Sequence, residues 1–289
     1  MKIIKILTNI DRRIIYLILL IVVILPLIFP SVEKVRVMPP VEKLYYAIDT
    51  IPAEKAVIVD FDYEPQTAPE LDPMGFAILR HVFKRRIKLL VLSLYVQPLG
   101  LAQNALTQVT EEFNSIAKTN ADSIIYGRDY VFLGWVPPPI IPILGMGESI
   151  TNVYTVDYYG NQTDTLSLME EITNYNDVGL LVSLSGSDIP KYWIAYAQSR
   201  FGLPVGAGIT AVSASEFYPY LQSGQFSGML VGMKGGAEYE EMVERNLKIK
   251  ARRKASEALL SLTYAHLVMI LFIVIGNIGY FVKTRSRKG

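Results

Sequence analysis

Two uncharged apolar segments, one near each end of the sequence, constrain the fold more than any other feature. They cover residues 14–29 (IIYLILLIVVILPLIF) and 262–282 (LTYAHLVMILFIVIGNIGYFV). A helix needs about 20 apolar residues to cross a bilayer, and both segments approach or reach that length. Tyr264 and Tyr280 lie near the two ends of the second segment, as interfacial aromatic anchors do. The sequence therefore predicts membrane helices at 14–30 and 262–282, with the lipid bilayer as a partner.

Basic residues outside these segments predict the orientation. The tails 1–13 and 283–289 each carry four Lys or Arg residues, and short basic tails stay in the cytoplasm. We therefore expect a two-pass protein of the cell membrane, with both tails cytoplasmic and the intervening domain extracytoplasmic. The basic run 245–254 (RNLKIKARRK) favours the opposite orientation, but long domains cross membranes largely regardless of charge.

Composition excludes several classes of site. The 289-residue chain has no Cys and two His, which excludes disulfides and thiolate metal sites and disfavours a His-based zinc site. Its formal net charge of +1 gives no overall field that would attract nucleic acid, so we expect no nucleic-acid partner. His81 lies among basic residues, which favours a solvated helix face.

Between the apolar segments, strand-like runs alternate with helical patterns. This alternation predicts an α/β fold, with a parallel sheet covered by helices on both faces. We expect a five-stranded Rossmann-like or flavodoxin-like domain at 39–237, followed by a basic helical stalk at 238–261 that continues into the second membrane helix. The predicted strands are 55–63, 88–96, 129–136, 177–185 and 203–211.

Three stretches carry a family resemblance: DFDYEP…APEL (60–71), GLPVGAGITAVSASEFYPYLQSGQ (202–225) and the glycine-stepped segment that follows. Together they resemble an uncharacterised prokaryotic family of membrane-anchored Rossmann-like α/β proteins. The resemblance covers most of the chain. The resemblance implies a membrane-anchored α/β architecture and does not imply any particular activity.

The strand ending VIVDFDYE places Asp60 and Asp62 where parallel sheets hold their sites. This ending resembles the first motif of haloacid-dehalogenase-type phosphatases. The resemblance implies that Asp60 is a nucleophile and Asp62 an acid/base, with Mg²⁺ holding the phosphate, and Ser93 lies where such enzymes bind phosphate. The later Lys and acidic pair of these enzymes has no convincing counterpart here. The alternative is that the two acids are solvated or cap a neighbouring helix.

Two further strand ends offer candidate ligand sites. In SLSGSDIPK, Ser185 and Ser187 precede a helix start that could bind an anion, and Ser187 with Lys191 could form a nucleophile and base. The alternative is a helix cap. In GAGITAVSAS, the glycines let a ligand or another backbone approach closely, with close packing of the strand as the alternative. The candidates there are Gly206, Gly208 and Ser213.

Four glycines recur at steps of four, at Gly224, Gly228, Gly232 and Gly236. In one helix they would form a bare face for the chain's own sheet or a second subunit. Alternatively, they mark turns around a short last strand at 228–233, or 232–236 is an anion-binding loop. Two polar residues in the second apolar segment also indicate helix association. These are His266 and Asn277.

These features together favour a non-enzymatic, membrane-anchored assembly or scaffold subunit without a cofactor. We expect it to form a homo-oligomer or to bind a partner in a membrane complex. The first alternative is a membrane-tethered hydrolase that uses Asp60 and Asp62 with Mg²⁺, or a Ser–Lys pair. The second is a solute-binding sensor domain.

Overall fold

The computed structural model describes residues 11–29 and 35–285. The chain forms two compact units. An α/β unit comprises Lys34–Ala255, and a helical unit comprises Met1–Glu33 with Ser256–Gly289. Most of the predicted cytoplasmic tails, at 1–10 and 286–289, lies outside the described residues.

The α/β unit contains a parallel sheet of six strands, which confirms the predicted α/β class and corrects the strand number from five. The added strand comes from the glycine-stepped segment. The strand order is β3-β2-β1-β4-β5-β6, and every neighbouring pair is parallel. The strands are β1 (Ala56–Asp62), β2 (Lys88–Leu92), β3 (Tyr130–Gly134), β4 (Val178–Ser185), β5 (Val205–Ile209) and β6 (Phe226–Val231).

Helices cover both faces of the sheet. The helix at Ala68–Lys84 has Pro69 in its first turn, a position where a proline is tolerated in a helix. The helices are α1 (Arg12–Ile28), α2 (Pro39–Asp49), α3 (Ala68–Lys84), α4 (Leu99–Asn114), α5 (Ile140–Gly145), α6 (Ile150–Val153), α7 (Ser167–Glu171), α8 (Ile189–Tyr192), α9 (Ser199–Phe201), α10 (Ala214–Gln222), α11 (Gly232–Leu247) and α12 (Lys254–Arg285). Short 3₁₀ turns at Thr163–Thr165 and Tyr175–Asp177 and a π-helical segment at Trp193–Gln198 complete the described elements.

The first face of the sheet packs against α2, α3, α4 and α11, around apolar residues such as Leu44 and Met74. The second face packs against the shorter elements between β3 and β6, around residues such as Ile58 and Trp193. Because the strands are buried on both faces, they read as nearly continuous apolar runs in the sequence.

A buried histidine joins three helices on the first face, so the solvated face predicted for His81 is wrong. Tyr239 Oη donates to His81 Nδ1 over 2.7 Å, His81 Nε2 lies 3.2 Å from Asp49 Oδ1, and the Tyr45 ring stacks on the imidazole at 4.3 Å. Burial lowers the pKa of His81 to about 4, so the imidazole is neutral near pH 7. The imidazole is therefore a satisfied core group.

The glycine-stepped segment does not form a single helix. Gly224 (φ +78°) lies in the turn before β6, Gly228 lies inside β6, and Gly232 (φ +57°) begins α11. The two positive φ angles are readily available only to glycine. The single-helix interpretation is therefore wrong, and the structure matches the alternative of turns around a short last strand.

Three of these glycines meet neighbours inside the α/β unit. A Cβ atom on Gly228 would lie 2.3 Å from the Leu44 nitrogen, and one on Gly236 would lie 3.1 Å from Ala255 Cβ. A Cβ on Gly232 would lie 2.9 Å from Ala211 Cβ. The subunit interface expected at these glycines stays a prediction, because these contacts lie within one chain.

The predicted continuous stalk is also wrong, because α11 ends at Leu247 and α12 begins only at Lys254. Lys248 ends α11 in a left-handed conformation (φ +56°). The apolar stripe of α11, including Tyr239 and Met242, is buried in the first-face core. This part of the predicted stalk therefore belongs to the α/β unit.

Glu238 of α11 is almost fully buried and joins two parts of the chain that are 200 positions apart. Its Oε2 accepts a hydrogen bond from the Met38 backbone N–H over 2.8 Å, just before α2 begins. Its Oε1 accepts a hydrogen bond from Lys234, which disfavours the anion-binding loop considered for 232–236. The α/β unit therefore begins beside one of its last helices.

Within the helical unit, one helix among the described residues is long and apolar enough to cross a membrane, by length and composition. It is the part of α12 at Lys254–Phe281. α1 has 17 residues and spans about 26 Å, which is short of the roughly 30 Å of a hydrocarbon core. The predicted N-terminal span is therefore not found. His266 and Asn277 are exposed on α12, and their role in helix association stays a prediction.

Candidate functional site

A crevice opens at the carboxyl edge of the sheet, between β1 and β4. The strand order reverses its direction there, and open α/β sheets place ligand sites at such positions. The cavity has a volume of about 430 Å³ and is bounded by the loops that follow β1, β2 and β4. Its polar lining includes Asp62, Glu64, Thr67, Tyr95, Gln97 and Ser187.

Asp60 lies beneath this crevice and is fully buried. Its Oδ2 accepts two hydrogen bonds, from Ser183 Oγ at 2.8 Å and from Trp193 Nε1 at 2.6 Å. The parallel register of β1 and β4 sets Ser183 directly beside Asp60. Asp60 Oδ1 receives no hydrogen bond from the donor groups of the described residues.

Asp62 lies two residues further along β1, so its side chain projects from the same face of the sheet. It is 4% exposed and forms part of the cavity wall. Its Oδ1 accepts from Ser93 Oγ at 2.9 Å and from the Leu94 N–H at 2.8 Å. Its Oδ2, like Asp60 Oδ1, receives no hydrogen bond from another donor of the described residues.

The two carboxyl groups each keep one oxygen without a hydrogen-bond donor among the described residues, and each group affects the pKa of the other. Burial, and then the neighbouring charge of Asp62, raise the pKa of Asp60 well above its usual range. Burial also raises the pKa of Asp62, but hydrogen bonds from Asp60, Ser93 and Leu94 to its charged form oppose this effect. The pKa of Asp60 is therefore raised more strongly than that of Asp62, so Asp60 is the more readily protonated of the two acids.

These contacts do not suit the phosphatase chemistry suggested by the Asp-x-Asp spacing. A nucleophile must be ionised and accessible, whereas Asp60 is fully buried and its burial raises its pKa, which disfavours the ionised form. Mg²⁺ requires several accessible oxygen ligands, but Asp60 is fully buried and one oxygen of each carboxyl group already accepts two hydrogen bonds. No cluster of three or more His, Cys, Asp or Glu side chains suited to a metal ion occurs in the part of the chain that the structure describes. The residues present do not fit a magnesium centre.

The predicted Ser–Lys pair is likewise not arranged for catalysis. Lys191 Nζ lies 2.6 Å from Asp188 Oδ1 and 3.0 Å from Glu216 Oε2, and hydrogen bonds from Lys191 to both acids raise its pKa. A lysine held in its protonated form cannot accept a proton from Ser187. Ser187 instead lines the crevice, where its N–H donates to Ser185 Oγ over 3.0 Å.

The glycine-rich end of β5 lies away from the crevice wall. A Cβ on Gly206 would lie 2.3 Å from Leu44 Cδ1, and one on Gly208 would lie 2.5 Å from Leu184 Cδ2. Both glycines therefore contact the first-face core, as the close-packing alternative expects. Ser213 Oγ lies 3.0 Å from Thr210 Oγ1 in the turn before α10.

Several residues of the crevice could not be predicted from the sequence. Glu64, Tyr95 and Gln97 occupy loops directly after β1 and β2, and that position is their one sequence signal. Trp193 lies more than 130 positions from Asp60, and nothing in the sequence pattern links the two. Tyr154 Oη also lies near the acid pair, fully buried and without a hydrogen-bond partner among the described residues.

The crevice thus combines a defined cavity, a buried acid pair and a polar rim drawn from three loops. Perturbed acids in a cleft are typical of functional sites. Comparison of the chain with protein-family models gives no match, and comparison with functionally curated proteins also gives none.

Proposed function

We propose that the α/β unit is a ligand-binding domain and that the crevice between β1 and β4 is its binding site. The buried acid pair beneath the opening is the observation that carries this proposal. Burying two carboxyl groups side by side costs folding free energy, and such unfavourable groups are concentrated at functional sites. The cavity volume of about 430 Å³ also lies within the range of about 300–1,000 Å³ that is usual for small-molecule sites.

The proposal replaces assembly as the leading function. Assembly was expected from a helix with a bare glycine face, but the chain forms a strand and a separate helix there. A cavity and a set of oriented polar groups support ligand binding. Oligomerisation is compatible with a ligand-binding domain but has no comparable observation in its favour.

The proposed domain is held at the cell membrane by α12, with the α/β unit outside the cytoplasm. The support is the apolar part of α12, the short basic tails and a contact inside the helical unit. Ser261 Oγ donates to the Val23 carbonyl of α1 over 2.9 Å, close to Pro26. A proline frees backbone carbonyls in a helix, and a serine from a neighbouring helix is a common partner for them within membranes.

A blocked crevice tests ligand binding. We expect Gln97→Trp in the full chain to abolish the thermal stabilisation produced by the ligand, because an indole at this exposed lining position fills part of the cavity. The measurement is the Tm of detergent-solubilised protein with a panel of sugars, amino acids, diamines, nucleosides and inorganic phosphate. A ligand at about 100 times its Kd adds about 2.7 kcal/mol, which raises the Tm by roughly 5–10 °C.

Gln162→Trp is the matched control, because Gln162 is exposed and lies outside the crevice lining. This variant should retain the full ligand-induced shift. A panel without any stabilising compound, or an equal loss of the shift in both variants, would contradict binding in the crevice.

The proposed orientation can be tested with single cysteines, because the natural chain has none. We expect Val212→Cys, at an 89% exposed position of the α/β unit, to react with a membrane-impermeant maleimide on intact cells. Thr284→Cys, near the C-terminal end of α12, should react only after lysis. The reverse labelling pattern would place the α/β unit in the cytoplasm.

A further inference from the structure

We infer that the crevice takes a small organic ligand with a primary ammonium group, such as a diamine. The inference rests on the proposed ligand-binding function and adds the chemical class of the ligand. It follows from the polarity of the lining, from the starts of the two adjoining helices and from the size of the cavity.

The lining offers hydrogen-bond acceptors and negative charge. Asp62 and Glu64 both contribute carboxyl groups to the cavity, and Lys and Arg are absent from its described lining. The nearby Lys191 is already paired with two acids, Asp188 and Glu216. An anionic ligand would therefore meet unopposed negative charge, whereas an ammonium group would meet charge-assisted acceptors.

The start of α3 does not offer the free N–H groups that an anion needs. Helix starts bind phosphate through unpaired amides of the first turn. Here the Ala68 N–H donates to the Glu64 carbonyl at 3.1 Å, Pro69 has no N–H, and the Glu70 N–H donates to the Thr67 carbonyl at 3.1 Å. All three first-turn positions are therefore unavailable to a ligand.

The start of α4 leaves one first-turn amide, that of Gly100, without a hydrogen bond among the described residues. Pro98, which lines the cavity, has no N–H. The Leu99 N–H donates to the Val96 carbonyl at 3.4 Å, and the Leu101 N–H donates to the Pro98 carbonyl at 2.9 Å. The two helix starts together thus offer one free amide, fewer than the several N–H groups that hold phosphate in dinucleotide-binding sheets, although the crevice occupies the equivalent position between the strands.

Tyr95 supplies an aromatic surface beside the acids. Its side chain is 41% exposed and lines the same cavity as Asp62. The face of an exposed tyrosine ring attracts an organic cation. The cavity of about 430 Å³ is also far larger than a single metal ion requires and holds an organic cation of several carbon atoms.

A pair of probes that differ in charge and match in length tests the inference. We expect 1,4-diaminobutane to bind the detergent-solubilised full chain at least about tenfold more tightly than uncharged 1,4-butanediol, because charge-assisted hydrogen bonds are the stronger kind. Isothermal titration calorimetry measures both affinities. Equal binding of the two probes, or tighter binding of the diol, would overturn the inference.

A variant that removes one negative charge shows whether the diamine binds in the crevice. Glu64→Gln should weaken binding of the diamine by about tenfold and leave binding of the diol unchanged. Glu54→Gln, an equally exposed position at the opposite edge of the sheet just before β1, should leave both affinities unchanged. A loss of diamine affinity of the same size in both variants would show unspecific attraction and overturn the inference.

The two proposals fail in different ways. In one outcome, inorganic phosphate or a neutral panel compound binds, Gln97→Trp blocks this binding, and the diamine does not bind. The crevice is then a binding site, and the ammonium inference is wrong. If Gln97→Trp changes the binding of no panel compound, both the site and the ligand class are wrong.

Discussion

Replacing Gly228 with alanine is expected to destabilise the α/β unit by about 3 kcal/mol or more, the largest loss among the variants considered. The new Cβ would lie 2.3 Å from the nitrogen and 2.6 Å from the Cα of Leu44 in α2. Neither atom can move by rotation of a side chain, so α2 as a whole would have to shift away from β6. A loss of this size lowers the Tm of the full chain by roughly 6–12 °C, which circular dichroism can measure.

Gly206→Ala is the matched control, because its new Cβ would meet the same residue at a different atom. It would lie 2.3 Å from Leu44 Cδ1, at the flexible end of the side chain. We expect a clearly smaller loss of Tm, since the leucine can adopt another rotamer. A Gly228→Ala loss no larger than that of Gly206→Ala would contradict the close approach of α2 to β6.

Asp60→Asn is expected to raise the stability of the fold at neutral pH. The folded chain binds a proton at Asp60, whose pKa is raised by burial and by the charge of Asp62, whereas the unfolded chain releases this proton near pH 3.8. Above pH 3.8 the wild type therefore loses about 1.4 kcal/mol of stability per pH unit through this group, up to its folded pKa. Asparagine needs no proton, can accept from Ser183 and Trp193, and can donate to Asp62.

The pH dependence of this gain is the diagnostic measurement. The Tm difference between Asp60→Asn and wild type should be small near pH 4 and should grow towards pH 8. Asp177→Asn is a control in which we expect the stability to change in the opposite direction. Burial alone would raise the pKa of Asp177, but hydrogen bonds from Thr173 and Asn174 outweigh this effect and lower the pKa. That variant should lose stability at neutral pH. A gain for Asp60→Asn that does not change with pH would contradict the raised pKa of Asp60.

The fold class could be predicted from the sequence because buried parallel strands leave long apolar runs between helical patterns. The sixth strand was only one of three interpretations of its segment, because four glycines at a helical spacing also fit a single helix. Because Gly228 has no side chain, α2 can approach β6 closely. A local sequence pattern does not show such a contact between distant residues. The break between α11 and α12 could not be predicted, because apolar residues at helical spacing, including Met242 and Ala255, occur in both helices.

The candidate site could be predicted only in part. The ends of β1 and β4 were identified from their sequence, since polar residues there follow buried strands. Their roles depend on distant partners: Trp193 donates a hydrogen bond to Asp60, and Glu216 pairs with Lys191. Both contacts cross more than 20 positions, so spacing alone suggested catalytic roles that the geometry does not support.

The hydrogen bond between Met38 and Glu238 also bears on how such a protein can arise. It brings the first described residues of the α/β unit beside one of its last helices, so the chain enters and leaves this unit close to one place. Units with neighbouring ends are the kind that other chains tolerate as insertions, because a host needs only two adjacent attachment points. The α/β unit is therefore suited to replacement as a whole. Another unit with a different ligand pocket could take its place, while the helices that precede and follow it stay the same.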